Sequence, residues 1–247
     1  MDLETALAVD DLTCVVGAGG KKTTLYALAA RLDRAVVTAT VRIPIFDEQV
    51  ARITVTDDPV GAIDRIDERP LGVVPERERE DRYLGYDPAV VSDLARETDD
   101  PLLVKADGAR TRWLKAPDER EPQLPREADT VLPIASARVV GEPLTDERVH
   151  RPERVASITD RGVGEEIQPS DVAKVLASTE GGLKDVPEDA TVVPVVNMVD
   201  DGELEATGRQ IARRVLDRAG PGTGSPTVSR VVLARMTASD PVVGVVE

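Results

Sequence analysis

Residues 12–32 constrain the fold of this chain more than any other stretch. They run Leu-Thr-Cys-Val-Val-Gly-Ala-Gly-Gly-Lys-Lys-Thr-Thr-Leu-Tyr-Ala-Leu-Ala-Ala-Arg-Leu. Leu12 to Val16 suit a short buried strand, and Gly17 to Gly20 a turn. Leu25, Leu28, Ala29 and Leu32 recur at helical spacing. Strand, glycine turn, Lys-Thr and helix is the layout of a phosphate-binding loop. Glycines let backbone N–H groups curl around an anion, and the helix N-terminus adds a favourable dipole. A lysine supplies mobile charge, and a hydroxyl next to it can hold Mg²⁺.

The common pattern is Gly-x-x-x-x-Gly-Lys-Ser/Thr, and two registers compete for it. With Lys21 as the phosphate lysine, Gly20 precedes it correctly but Lys22 stands where the hydroxyl belongs. With Lys22 in that role, Thr23 follows correctly but Lys21 replaces the glycine. The first glycine is displaced in both, so the loop is a short variant. Two lysines at a helix N-terminus oppose the macrodipole, and a bound polyanion would account for them. The competing explanation is a glycine-rich turn that binds nothing.

Charge sharpens this. The chain carries 46 acidic residues against 31 basic ones, and only six of the latter are lysine (21, 22, 105, 115, 174 and 184). Four of the six fall in segments suited to handling phosphate. An acidic, lysine-poor surface suits a salt-filled cytoplasm, where self-repulsion is screened, and points to a halophilic source. It also argues against general nucleic-acid binding, since no basic stripe is present. Aromatics are 2% of residues, so the core must come from Val, Leu, Ile and Ala. A lone cysteine, Cys14, excludes a disulfide framework, and a lone histidine, His150, excludes a multi-histidine metal site. With no apolar run of about 18 residues and no charged-then-apolar leader, neither a membrane span nor a signal peptide is expected. A cytoplasmic location follows.

Further along, residues 34–38 give a second strand ending in Thr38-Ala39-Thr40, a place where hydroxyls often face a metal and a terminal phosphate. Residues 51–55 read as a strand, 57–68 as an acidic connection or helix, 75–86 as a loop and 88–97 as a helix with Val90, Val91, Leu94 and Ala95 inward. Pro101 to Lys105 lead into Ala106-Asp107-Gly108, which places a carboxylate at the carboxyl end of a strand, where open α/β sheets hold their ligands. From there Asp107 could reach Mg²⁺. The same Asp-Gly pair is also an ordinary turn former. Residues 111–126, with three prolines and alternating charge, form an irregular segment of functional length. Lys115 and Glu121 are its candidate substrate contacts, with Trp113 packing it down. Residues 130–135 return to the sheet, Ser170 to Leu176 form a capped helix, and 191–197 a buried strand. That strand ends in Asn197-x-x-Asp200, a pattern similar to the base-reading Asn-Lys-x-Asp of GTP-binding proteins, with Met198 in place of lysine. Residues 203–219 form an amphipathic helix, 220–226 a Gly/Pro linker, and two strands end the chain.

Taken in order, Val16 to Thr24, Ala106 to Arg110, Lys115-Ala-Pro117, Glu121-Pro122, His150-Arg-Pro-Glu153 and Asn197-x-x-Asp200 resemble the YqeC family of selenium-dependent molybdenum hydroxylase accessory proteins. The family commonly has an acidic residue before Ala-Asp-Gly, where this chain has Lys105. The resemblance, with the salt-adapted composition, implies a halophilic archaeon as the source. It further implies a phosphate-loop NTPase-like α/β fold of three layers, a mainly parallel sheet flanked by helices. A single domain over 1–247 is expected, with an irregular insertion around 109–128. By carry-over, Gly17, Ala18, Gly19, Gly20, Lys21, Lys22, Thr23 and Thr24 would cradle the phosphates of GTP or ATP. Thr23 and Asp107 would hold Mg²⁺, Lys21, Lys22 and Asp107 would serve catalysis, and Asn197 and Asp200 would contact the base. The implied partners are a nucleotide and a molybdenum hydroxylase or its cofactor, with no nucleic acid or membrane. Two activities stay open: an NTPase or phosphotransferase, and a nucleotide-gated binding or delivery protein with little turnover.

Overall fold

The computed structural model describes residues 1–222 and 226–247. Its strands are β1 Leu12–Gly17, β2 Val36–Ala39, β3 Ile43–Pro44, β4 Arg52–Val55, β5 Leu71–Val74, β6 Arg82–Tyr83, β7 Leu102–Lys105, β8 Leu114–Lys115, β9 Thr130–Ser136, β10 Val149–His150, β11 Thr191–Val192, β12 Val195–Asn197, β13 Val231–Ala234 and β14 Val242–Val246. The helices are α1 Leu3–Ala6, α2 Lys21–Ala29, α3 Pro59–Arg65, α4 Pro88–Glu97, α5 Pro152–Thr159, α6 Pro169–Leu176 and α7 Gly202–Ala219.

One large sheet runs in the order β14-β13-β12-β9-β1-β7-β2-β5-β4, with β11 also pairing β9. Every pairing in it is parallel except β13 with the edge strand β14. Parallel strands are covered on both faces and therefore read as continuous apolar runs. In β1, Leu12, Cys14 and Val16 pack on one side with Val91 and Leu94 of α4, and Val15 packs on the other with Leu25 and Leu28 of α2. On the first side α6 and α7 bury Val172, Leu176, Ile211 and Val215 over the β12–β13 half. Helices on both faces make three layers, a mainly parallel α/β sheet of the phosphate-loop NTPase kind. No helix of the described residues is long and apolar enough to cross a membrane.

The site follows from this order. β1 lies between β7 and β9, with Val15 level with Lys105 and Gly17 level with Ile134. The glycine turn after β1 and Asp107 after β7 therefore emerge side by side at the carboxyl edge of the sheet.

Several local expectations need correcting. The 75–86 loop contains β6, which pairs antiparallel with β3, and the irregular 111–126 segment contains β8, which pairs parallel with β10. Two-residue strands leave no periodicity to read. The helix after the glycine turn stops at Ala29, and Leu32 packs against the core from the turn beyond it. Strand β5 carries Gly72, where a Cβ would lie 2.3 Å from Ile53 Cδ1 and 2.7 Å from Phe46 Cε2. The missing side chain that weakens its strand signal is what admits those two residues. Of the 220–226 linker, residues 223–225 lie outside the described residues.

Candidate functional site

Gly17, Gly19 and Gly20 all adopt positive φ (89°, 85° and 131°), a region closed to most side chains. A Cβ on Gly17 would lie 2.3 Å from Ile134 O, and one on Gly20 would lie 2.0 Å from Asn197 Nδ2. The loop is thus shaped against β9 and β12, and only glycine fits. Its first N–H groups are spent on that fixing. Gly17 donates to Asp107 Oδ2 (2.8 Å), Ala18 to Ile134 O (2.8 Å) and Gly19 to Arg112 O (2.9 Å). The next four, Gly20 to Thr23, open α2, and no described protein group accepts from them. Intrahelical bonding resumes with Thr24 N–H to Gly20 O. Four convergent free donors at a helix N-terminus form an anion site.

Lys21 is the first helical residue and is only 5% exposed. Its Nζ turns back to Gly17 O and lies 2.7 Å from Asp107 Oδ1. Lys115 reaches the other oxygen of the same carboxylate at 3.0 Å, and Glu121 Oε2 at 2.7 Å. Arg151 links Glu121 (2.7 Å) to Asp118 (2.6 Å), and Lys184 ties down the backbone carbonyls of Asp118 and Glu121. Burial pushes the Asp107 carboxyl up, but Lys21 and Lys115 outweigh it and hold the group below its ordinary value. Burial likewise opposes ionisation of Glu121, and Lys115 and Arg151 prevail. The Lys21–Asp107 contact lies outside hydrogen-bond geometry, so Asp107 Oδ1 is a buried acceptor without a hydrogen bond.

Lys22 lies beside Lys21 and makes no ion pair among the described residues, and both line one open cleft of 1170 Å³ together with Thr23. Thr24 points the other way, fully buried with its hydroxyl on Gly20 O (3.1 Å). Thr40 lines the cleft and donates to Gln123 O (2.6 Å), whereas Thr38 is spent inside the sheet on Val73 O. Asn197 sits beneath the loop. Its Nδ2 donates to Gly19 O (2.8 Å), and its Oδ1 accepts from Met236 N–H (3.3 Å). Met198 follows it into the cleft wall in a left-handed conformation, and Asp200 is part-exposed and paired with Arg138 at 2.7 Å. The structure therefore brings Lys21, Asp107, Lys115 and Glu121 into one network. It puts Asn197 under the loop as a strut and Asp200 on a separate ion pair.

His150 lines the cleft beside Arg151. Burial and the charges of Arg151 and Lys115 push it down to about 4, so it is neutral over the physiological range. Lys105, Arg112 and Lys184 also belong to this region, though the motifs do not include them. For the two lysines the signal is the scarcity of that residue: five of six lysines sit on the loop, in this network or on the cleft wall.

Residues 13–153 match the family model described as YqeC protein. The chain belongs to the YqeC family. It is 28% identical over 190 residues to the uncharacterized protein YqeC of Escherichia coli (strain K12), an alignment covering 74% of each chain. No solved structure matches it. The family-model match takes in the glycine loop, Asp107, Lys115, Glu121 and His150 to Glu153, and ends before Asn197 and Asp200.

Proposed function

We propose that this YqeC protein binds GTP or ATP with Mg²⁺ and cleaves or transfers the terminal phosphoryl group, as a cytoplasmic accessory in maturing a selenium or molybdenum cofactor for a hydroxylase. One observation carries the nucleotide reading. Four unpaired N–H groups, two lysines and a buried carboxylate converge where β1 and β7 end, at the base of a cleft large enough for a nucleotide. Lys21 would turn from Asp107 to the phosphate oxygens, and Lys22 would meet them from the cleft side. Gly17 to Gly20 would hold the backbone in the receiving shape, braced by Asn197. A divalent ion fits the residues present: Asp107 Oδ1 is buried with no hydrogen-bond donor, held only by the Lys21 ion pair, and Thr23 lines the cleft beside Lys21. Mg²⁺ is commonly held by one or two protein groups together with the substrate phosphates. Bound there, Mg²⁺ would neutralise charge on the phosphates. Asp200, two residues beyond the cleft-lining Met198, would read a guanine edge by leaving its Arg138 pair, which would favour GTP.

A second reading, nucleotide-gated binding or delivery with little turnover, draws on a specific feature. The carboxylates Asp107, Asp118 and Glu121 are all committed to lysine or arginine. His150 is a weak base at best, so no strong general base stands free. Single-turnover hydrolysis in high salt separates the two: tight nucleotide binding with no product over long incubation selects delivery. Lys21→Ala and Lys22→Ala, titrated separately with GTP and ATP, test the shared premise. If neither weakens binding, the nucleotide reading is wrong.

A further inference from the structure

The cleft holds more positive charge than a nucleotide site calls for. Nine basic side chains and two acidic ones line it, in a chain of net charge −15. Both acids, Asp118 and Glu121, are already paired with Arg151. Of the nine bases, Lys21, Arg42, Arg82 and Arg151 have carboxylate partners. The other five, Lys22, Lys105, Arg110, Arg112 and Arg120, have none within ion-pair distance among the described residues. Lys22 belongs with the phosphate loop. The remaining four lie on the β7 wall and on the segment after it.

Lys105 is the telling member. It is 6% exposed at the end of β7, and its Nζ meets only the backbone carbonyl of Arg42, at 2.8 Å. A buried ammonium without a counter-ion is costly, and nothing in the fold around it is gained in return. The segment bearing Arg110 and Arg112 is held in an equally costly way. Arg110 and Thr111 are consecutive left-handed residues (φ 46° and 61°), and Thr111 is β-branched. Arg112 O accepts from Gly19 N–H, which docks this turn directly on the glycine loop. The cleft, at 1170 Å³, also exceeds the roughly 300–1,000 Å³ of ordinary small-molecule sites.

We infer that the cleft takes a second anionic ligand, a phosphorylated or carboxylated co-substrate, held by Lys105, Arg110 and Arg112 beside the nucleotide phosphates. This rests in part on the nucleotide reading above, which it extends by naming the charge class of the partner molecule. Arginine forks suit the planar or tetrahedral oxygens of such groups, and an anion there would give the buried Lys105 ammonium the counter-ion it lacks.

Inorganic phosphate is the probe. It would be titrated calorimetrically, in chloride buffer, into protein saturated with Mg²⁺ and a non-hydrolysable GTP or ATP analogue. One further equivalent of phosphate is expected to bind, about tenfold or more weakly in Lys105→Met and in Arg112→Met. Lys105→Arg should recover most of the loss, and the analogue's own affinity should be unchanged in the Lys105 variants. Phosphate that only competes with the analogue, or a second equivalent indifferent to Lys105 and Arg112, would overturn the inference. If the analogue fails to bind while phosphate binds in a Lys105-dependent way, the anion subsite stands and the nucleotide reading falls.

Discussion

Asp107 is shared by two buried lysines, and this makes its loss unlike the loss of either partner. In Asp107→Asn, Lys21 and Lys115 remain buried beside a neutral amide. Lys115 keeps Glu121 at 2.7 Å, but Lys21 keeps only the carbonyl of Gly17. Removing one member of a buried ion pair costs about 3–5 kcal/mol, because the other charge is left uncompensated. In Lys21→Met the carboxylate still has Lys115 at 3.0 Å and the Gly17 N–H at 2.8 Å, and the methionine stem occupies the same channel. The cost there should be about 1–2 kcal/mol, that of one weakened polar contact. Guanidinium unfolding near neutral pH, at constant ionic strength, measures both. The pH dependence provides an independent arm. The folded-state Asp107 titrates below its ordinary value of 3.8, so its stabilisation is complete above that value and is lost as pH falls through the folded one. The stability gap between wild type and Asp107→Asn should therefore close as pH falls below 3.8, and the comparison is made on that acid limb, away from the alkaline range in which Lys21 titrates. Equal penalties for the two substitutions, or a gap that ignores pH, would refute the shared-carboxylate account.

Lys105→Met should stabilise the free protein near neutral pH, on the order of a few kcal/mol. Wild-type Lys105 is pushed from 10.5 to about 7, so the unfolded chain holds its proton more tightly and the penalty is full below about 7 and gone above 10.5; unfolding midpoints across that range check it. Asn197→Ala should cost about 1–3 kcal/mol and lower phosphate and nucleotide affinity together, since Gly19 O and Met236 N–H each lose a buried partner; thermal melts with and without ligand separate the two effects. The single histidine permits an unambiguous NMR titration, and its ring resonances should stay flat through 6.5 and move near pH 4.

Much of this site was legible in residues 12–32 alone, because a glycine turn between a buried strand and a helix has few physical uses. The placement of Asp107 beside it was also readable, since a carboxylate after an apolar strand in an α/β chain falls at the same sheet edge as the loop. Three things were not legible. The inward turn of Lys21 depends on β7 being the immediate neighbour of β1, which is a matter of strand order. The strut role of Asn197 depends on its strand reaching the loop through β9, 178 residues away in sequence from Gly19. The unpaired state of Lys105 and Arg112 depends on which carboxylates are absent nearby, and composition records only totals. The small strands β3, β6, β8 and β10 were invisible for a simpler reason, as two residues cannot display a period.

The strut beneath the loop has a bearing on how this protein can be dissected. The family match ends at residue 153, after Lys21, Asp107, Lys115 and Glu121 have all been supplied. Yet the carbonyl of Gly19 is secured by Asn197, which is itself fixed by Met236, eleven residues from the C-terminus. Every charged group of that network except Lys184 lies at or before residue 151, while the Asn197–Met236 part of the scaffold that holds the loop lies well beyond it. A fragment trimmed to the matched segment would keep these charged groups but lose the strut under Gly19. Substitutions near the carboxyl end, far from any ligand in sequence, would reach the loop by the short route through Asn197.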